Sequence, residues 1–167
     1  MRIAPLLTAA SLGLLASCAS SNRLTTDDYA GAPPLMVGNT AIAPEGVPEP
    51  VRRAILAANE IQSAPYQFGG GHGRSSWGLD CSGSVSYVLG KAGLLPGGPM
   101  PSRGYKKYGK SGPGKWITVY AKDGHVFMTI CGMRLDTTSN GNDRAGPRWN
   151  PKPRKVGEFK ARHPAGL

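Results

Sequence analysis

The sequence predicts an α+β domain in which a helix packs on an antiparallel sheet. Two stretches, "EPVRRAILAANEIQSAP" and "CSGSVSYVLGKAG", place apolar residues at helical spacing. A third, "WITVYAKDGHVFMTICG", holds two β-rich runs around an Asp-Gly turn. Glycine and proline, 24 and 15 of 167 residues, favour turns over long regular elements within one domain.

The domain is expected over 49–167, beginning near Glu49. Pro50 suits the first turn of the first helix, and Val51, Ala54, Ile55, Ala58 and Ile61 share one face. Pro65 ends that helix by excluding the helical conformation at Ala64. A glycine-rich loop, "YQFGGGHGRSSWGLD", leads to the second helix. Val85, Val88, Leu89 and Ala92 form its apolar stripe, and Gly93 suits a left-handed C-terminal cap. Cys81 is four residues before Val85, on the same stripe and in the first turn. Residues 94–115, basic and rich in proline and glycine, read as a surface loop. The hairpin follows, and "MRLDT" returns as a third strand. The tail is expected to wrap the domain, with Trp149 and Phe159 as anchors.

Ahead of the domain, Arg2 precedes an apolar run from Ile3 to Ala16, too short for a permanent membrane span. Residues 1–17 read as an export signal without an arginine pair. Leu15-Ala16-Ser17-Cys18 resembles a bacterial lipobox, which implies cleavage before Cys18 and its acylation. Residues 18–48 are then the lipidated cysteine and a flexible tether. This places the protein in the cell envelope, at the periplasmic face of the outer membrane if there are two membranes. The formal charge is +10, which favours anionic partners. Export removes nucleic acid from that group and leaves anionic wall or surface polymers, met by Arg103, Lys106, Lys107 and Lys110 in one loop and Arg148, Lys152, Arg154 and Lys155 in the tail.

Cys81, His125 and Asp136 form a chemical set. A thiol attacks as its thiolate, and a free cysteine has a pKa of about 8.5. The N-terminus of a helix favours the anion, and a histidine beside it acts as base and then acid. A two-residue turn at Cys131-Gly132 sets position 127 opposite 136, so Asp136 becomes His125's diagonal neighbour on one sheet face and holds its tautomer. A three-residue turn turns Asp136 away, leaving Thr137, Asn140 and Asn142 as the alternatives. A Cys81–Cys131 disulfide is the rival reading. Cys131 is six residues from His125 along the strand, about 20 Å, so the disulfide and a Cys81–His125 pair exclude each other. A zinc site on His72, Cys81 and His125 lacks close paired ligands, so neither metal nor cofactor is expected.

These stretches resemble the NlpC-type papain-like cell-wall peptidases. The likeness rests on Pro65-Tyr66-Gln67-Phe68-Gly69-Gly70, on Asp80-Cys81-Ser82-Gly83 with "VSYVL", and on Gly124-His125-Val126, over residues 49–140. It implies a papain-like fold and hydrolysis of amide bonds in peptidoglycan stem peptides, with Cys81 as nucleophile, His125 as base and Asp136 where the family commonly has histidine. It also implies that Tyr66, Asp80 and Ser82 contact substrate, and that the Cys81 N–H is an oxyanion donor. "GPGKWITVYAKDG" stands where the family has a Pro-Gly-Asp element, and the basic tail lies outside the shared motifs. The same fold also accommodates a non-catalytic wall-binding lipoprotein, or a thiol acyltransferase or amidase.

Overall fold

The computed structural model describes residue 26 and residues 29–72, 77–138 and 145–167. The export signal, Cys18, Asn140 and Asn142 lie outside the described residues. The elements run β1 (Leu35–Val37), β2 (Thr40–Ile42), α1 (Glu49–Glu60), α2 (Cys81–Lys91), β3 (Lys110–Ser111), β4 (Ile117–Lys122), β5 (His125–Ile130), β6 (Met133–Asp136), β7 (Arg148–Asn150) and β8 (Lys160–His163). A short 3₁₀ turn spans Gly104–Lys107. β3 to β8 form one antiparallel sheet in the order β3-β8-β4-β5-β6-β7, and β1 pairs with β2.

Both helices follow their apolar spacing. α1 buries Val51, Ala54, Ile55, Ala57 and Ala58, and α2 buries Val85, Val88 and Leu89. These side chains share a core with Val119, Val126, Met128, Ile130 and Leu135 of the sheet. Each large aliphatic side chain buried here stabilises the fold by about 1.5–3 kcal/mol. Gly93 closes α2 at φ 73°.

The other sheet face carries Tyr120 and Phe127, covered by Val156 and Phe159 of the tail. β4 and β5 are therefore buried on both faces, which explains their nearly unbroken apolar runs. The tail wraps the domain by adding strands: β7 pairs with β6, and β8 with both β4 and β3. Trp149 and Phe159 are its anchors. Trp149 donates from Nε1 to Asn59 Oδ1 at 2.8 Å, and its backbone N–H donates to Gln62 Oε1 at 2.8 Å.

Two segments differ from expectation. The part of the expected tether from 35 to 47 is a hairpin docked on α1. Ala41 and Val47 join the core, and Asn59 bonds both the N–H and the carbonyl of Ala41, at 2.8 and 2.9 Å. Residues 94–115 are not simply a surface loop. Tyr105 is fully buried with its hydroxyl 2.8 Å from Ser86 Oγ, and Tyr108 donates to the Leu94 carbonyl at 2.8 Å. Aromatic anchors among glycines and prolines fix this stretch, with little regular structure beyond the 3₁₀ turn at 104–107 and the two residues of β3.

Candidate active site

The site begins at the first turn of α2. Asp80 has the extended backbone of an N-cap, and its Oδ1 accepts from the Gly83 N–H at 2.7 Å. Oδ1 also accepts from Ser82 Oγ at 3.0 Å, and Oδ2 accepts from the Gly69 N–H at 2.9 Å. One carboxylate thus ties the glycine-rich loop to the helix start. The glycines permit the close approach: a Cβ on Gly83 would lie 2.0 Å from the Gly70 carbonyl oxygen, and one on Gly70 would lie 2.3 Å from that of Gly78. Pro65 and Gln67 bond Leu79 through the backbone at 3.0 and 3.2 Å, and Tyr66 bridges Leu79, so Tyr66 runs beside the approach to Cys81.

Cys81 is the first residue of α2, buried on the core side. The N–H groups of a first helical turn have no acceptor within the helix and favour a developing negative charge. The Cys81 side chain lies near enough to the ring of His125 to help raise its pKa. His125 opens β5 after the two-residue Asp123-Gly124 turn, with Gly124 at φ 81°. Its Nε2 lies 2.9 Å from Asp136 Oδ1, which leaves Nδ1 for the thiol.

Asp136 reaches His125 because the β5–β6 turn has two residues. The pairs Met128–Leu135, Thr129–Arg134 and Ile130–Met133 put position 127 opposite 136. Cys131 and Gly132 have φ 49° and 77°, the left-handed pair that a tight hairpin requires. Of the alternatives, Thr137 is buried with its hydroxyl unpaired among the described residues.

Two arginines complete the cluster. Asp136 Oδ2 accepts from Arg134 Nη1 at 2.5 Å and from Arg154 Nη1 at 2.7 Å, while Oδ1 also accepts from the Thr138 N–H at 3.0 Å. The Asp136 side chain has no exposed surface. Burial pushes its carboxyl upward, but the hydrogen bond and charge of His125, with Arg154 and the Thr138 N–H, outweigh this and hold it below the usual range. For His125, burial works against the imidazolium. The hydrogen bonds and charges of Asp136 and Cys81 prevail and raise its pKa to about 9. At neutral pH the ring therefore carries a proton and stands between the Asp136 carboxylate and the Cys81 sulfur, an arrangement suited to nucleophilic attack followed by protonation of a leaving amine.

Asp80 and Ser82 are 6% and 5% exposed, and both are engaged by the chain itself. His72 Nε2 lies 3.0 Å from Ser82 Oγ and 3.3 Å from Asp80 Oδ1. The two histidines that a zinc reading joins thus belong to separate networks. Cys81 and Cys131 are both free thiols. The basic residues are less available than their number implies: Lys106 pairs with Asp123 at 2.8 Å, Arg154 with Asp136, and Arg148 donates to the Ala64 and Pro147 carbonyls at 3.1 and 2.7 Å. Sequence reasoning missed Arg154 at Asp136, because it lies in a tail without periodicity; Arg134, two residues before Asp136 on its strand, is legible from the spacing alone.

Fold and site together define an α+β domain that presents a buried thiol, a partly buried imidazole and a buried carboxylate in sequence. No family model matches the chain, and no curated protein is similar to it. Among solved structures it is similar to Rv1477, described as a hypothetical invasion protein of Mycobacterium tuberculosis. Identity is 22%, the match covers 78% of this chain and 69% of that one, and the TM-score is 0.49. It is also similar to a mutated form of the Resuscitation Promoting Factor Interacting protein RipA, at 21% identity over 79% of this chain and 70% of that one, with TM-score 0.49.

Proposed function

We propose that the protein is a cysteine peptidase that hydrolyses amide bonds in peptidoglycan stem peptides, held at the envelope membrane through an acylated Cys18. The observation that carries the catalytic reading is His125 Nε2 at 2.9 Å from Asp136 Oδ1, with Cys81 at the start of α2 close enough to act on the same ring. The Cys81 thiolate adds to the amide carbonyl carbon while N–H groups at the start of α2, that of Cys81 included, receive the oxyanion. The His125 imidazolium gives its proton to the departing amine, leaving a thioester. The neutral ring then takes a proton from water, the hydroxide adds to the thioester, and the acid and thiol are released. Asp136 keeps the ring oriented and stabilises its charged form. Tyr66 contacts substrate from the loop side. Asp80 and Ser82 act through the helix start that they shape.

The test is digestion of purified muropeptides by the protein and by its Cys81→Ala variant, with products read by mass spectrometry. Cleavage by the unmodified protein alone is expected. No cleavage across several stem types and pH values, or equal cleavage by both proteins, overturns the reading.

A further inference from the structure

On the sheet face that carries His125, the tail borders an open pocket of about 370 Å³ lined by Lys122, Arg154, Lys155, Gly157, Glu158 and Phe159. It adjoins the candidate catalytic pair. Lys122 is the cross-strand partner of His125, and the Phe159 ring meets the His125 ring edge-on with centroids 6.2 Å apart. Phe159 gives the cavity an apolar surface, over which Lys122 Nζ and the Arg154 guanidinium stand 5.0 and 5.3 Å from the ring centroid.

The lining holds three cations and one carboxylate. Arg154 is committed to Asp136, and Lys122 bonds the exposed Glu158 at 2.8 Å. Lys155 is exposed and pairs with no carboxylate among the described residues. A net positive cavity with an aromatic wall suits a short acid: its methylene groups lie on the ring, and its carboxylate meets the ammonium groups.

We propose that this cavity is a substrate subsite for a free carboxylate of the peptide whose amide is presented to Cys81. The inference deepens the peptidase reading and rests on it for the identity of the ligand. Glu158 competes with the incoming carboxylate for Lys122, so it weakens the site for the free acid and narrows the preference over an uncharged ligand.

The experiment uses two stem peptides that differ only in whether one carboxylate is free or amidated. Each is titrated into the Cys81→Ala full chain while the ring resonances of His125 and Phe159 are followed by NMR, and each is offered to the unmodified protein for cleavage. The free acid is expected to bind about tenfold tighter, the size of one charge-assisted hydrogen bond. That preference should shrink in Lys155→Gln, widen in Glu158→Gln and persist in Lys91→Gln, at the other end of α2. Equal binding of the two peptides, or equal weakening of both by Lys155→Gln, overturns the subsite. Cleavage without preference sinks the subsite and leaves the peptidase. Preferential binding of peptides that are never cut sinks the peptidase and leaves a carboxylate site.

Discussion

Replacing Asp136 with asparagine removes the charge behind His125 while keeping the shape of the side chain. His125 stands at about 9 against an ordinary 6.5, a gap of about 2.5 units, or about 3 kcal/mol at 1.36 kcal/mol per unit. Burial opposes this elevation, and only Asp136 and Cys81 support it. With Asp136 neutral, burial remains and one support is lost, so the pKa should fall by more than about one unit. The effect on stability has a definite sign. A folded pKa above the unfolded one contributes stability that is complete below pH 6.5 and is lost as pH rises through about 9. Urea unfolding of the native protein should therefore weaken over that interval by an amount approaching about 3 kcal/mol. Asp136→Asn should be less stable throughout, since two guanidinium groups lose their counter-charge, but its stability should vary with pH by less than about 60% as much. NMR titration of the His125 ring in both proteins gives the pKa directly, and the alkaline limb of kcat/KM should move to lower pH with it. An imidazole that still titrates near 9 in Asp136→Asn, or near 6.5 in the native protein, would refute the reasoning.

Gly83→Ala should destabilise the domain by about 1–3 kcal/mol or more, because its Cβ meets the Gly70 backbone. Gly90→Ala, with open space around it and a helical backbone, should stabilise by about 0.5–1 kcal/mol, and urea melts of both variants check the contrast. Arg154→Met removes one of the two arginines on Asp136 Oδ2 and should lower both kcat and unfolding free energy, the latter by about 1–3 kcal/mol. Arg154→Lys should restore only part of each loss, since one ammonium cannot both bond the carboxylate and cover Phe127 and Phe159 as the guanidinium does. Asn59→Ala frees the Ala41 backbone and the Trp149 indole, so limited proteolysis should cut near residues 35–47 sooner than in the native protein.

Much of the site was legible because its geometry is local. Cys81 and Asp80 are placed by helix-start chemistry, and His125 by a two-residue hairpin loop. Asp136 follows from counting residues around Cys131-Gly132, and the observed register agrees with that count. What was not legible depends on distant chain. β7 and β8 are three and four residues long, bordered by proline and glycine, and are strands because exposed sheet edges receive them. Arg154 looked like surface charge, and only the fold shows it bonded to a carboxylate with no exposed surface. Asp80 has a structural part that its motif position did not reveal: its carboxylate joins its own helix start to the glycine-rich loop.

The tail bears on the order in which the domain closes. Until residues 154–163 dock, Asp136 lacks its second guanidinium, and Tyr120 and Phe127 on the outer face of β4 and β5 are uncovered. Those residues act as a clasp: one short segment completes both the carboxylate network behind His125 and the second layer of the sheet.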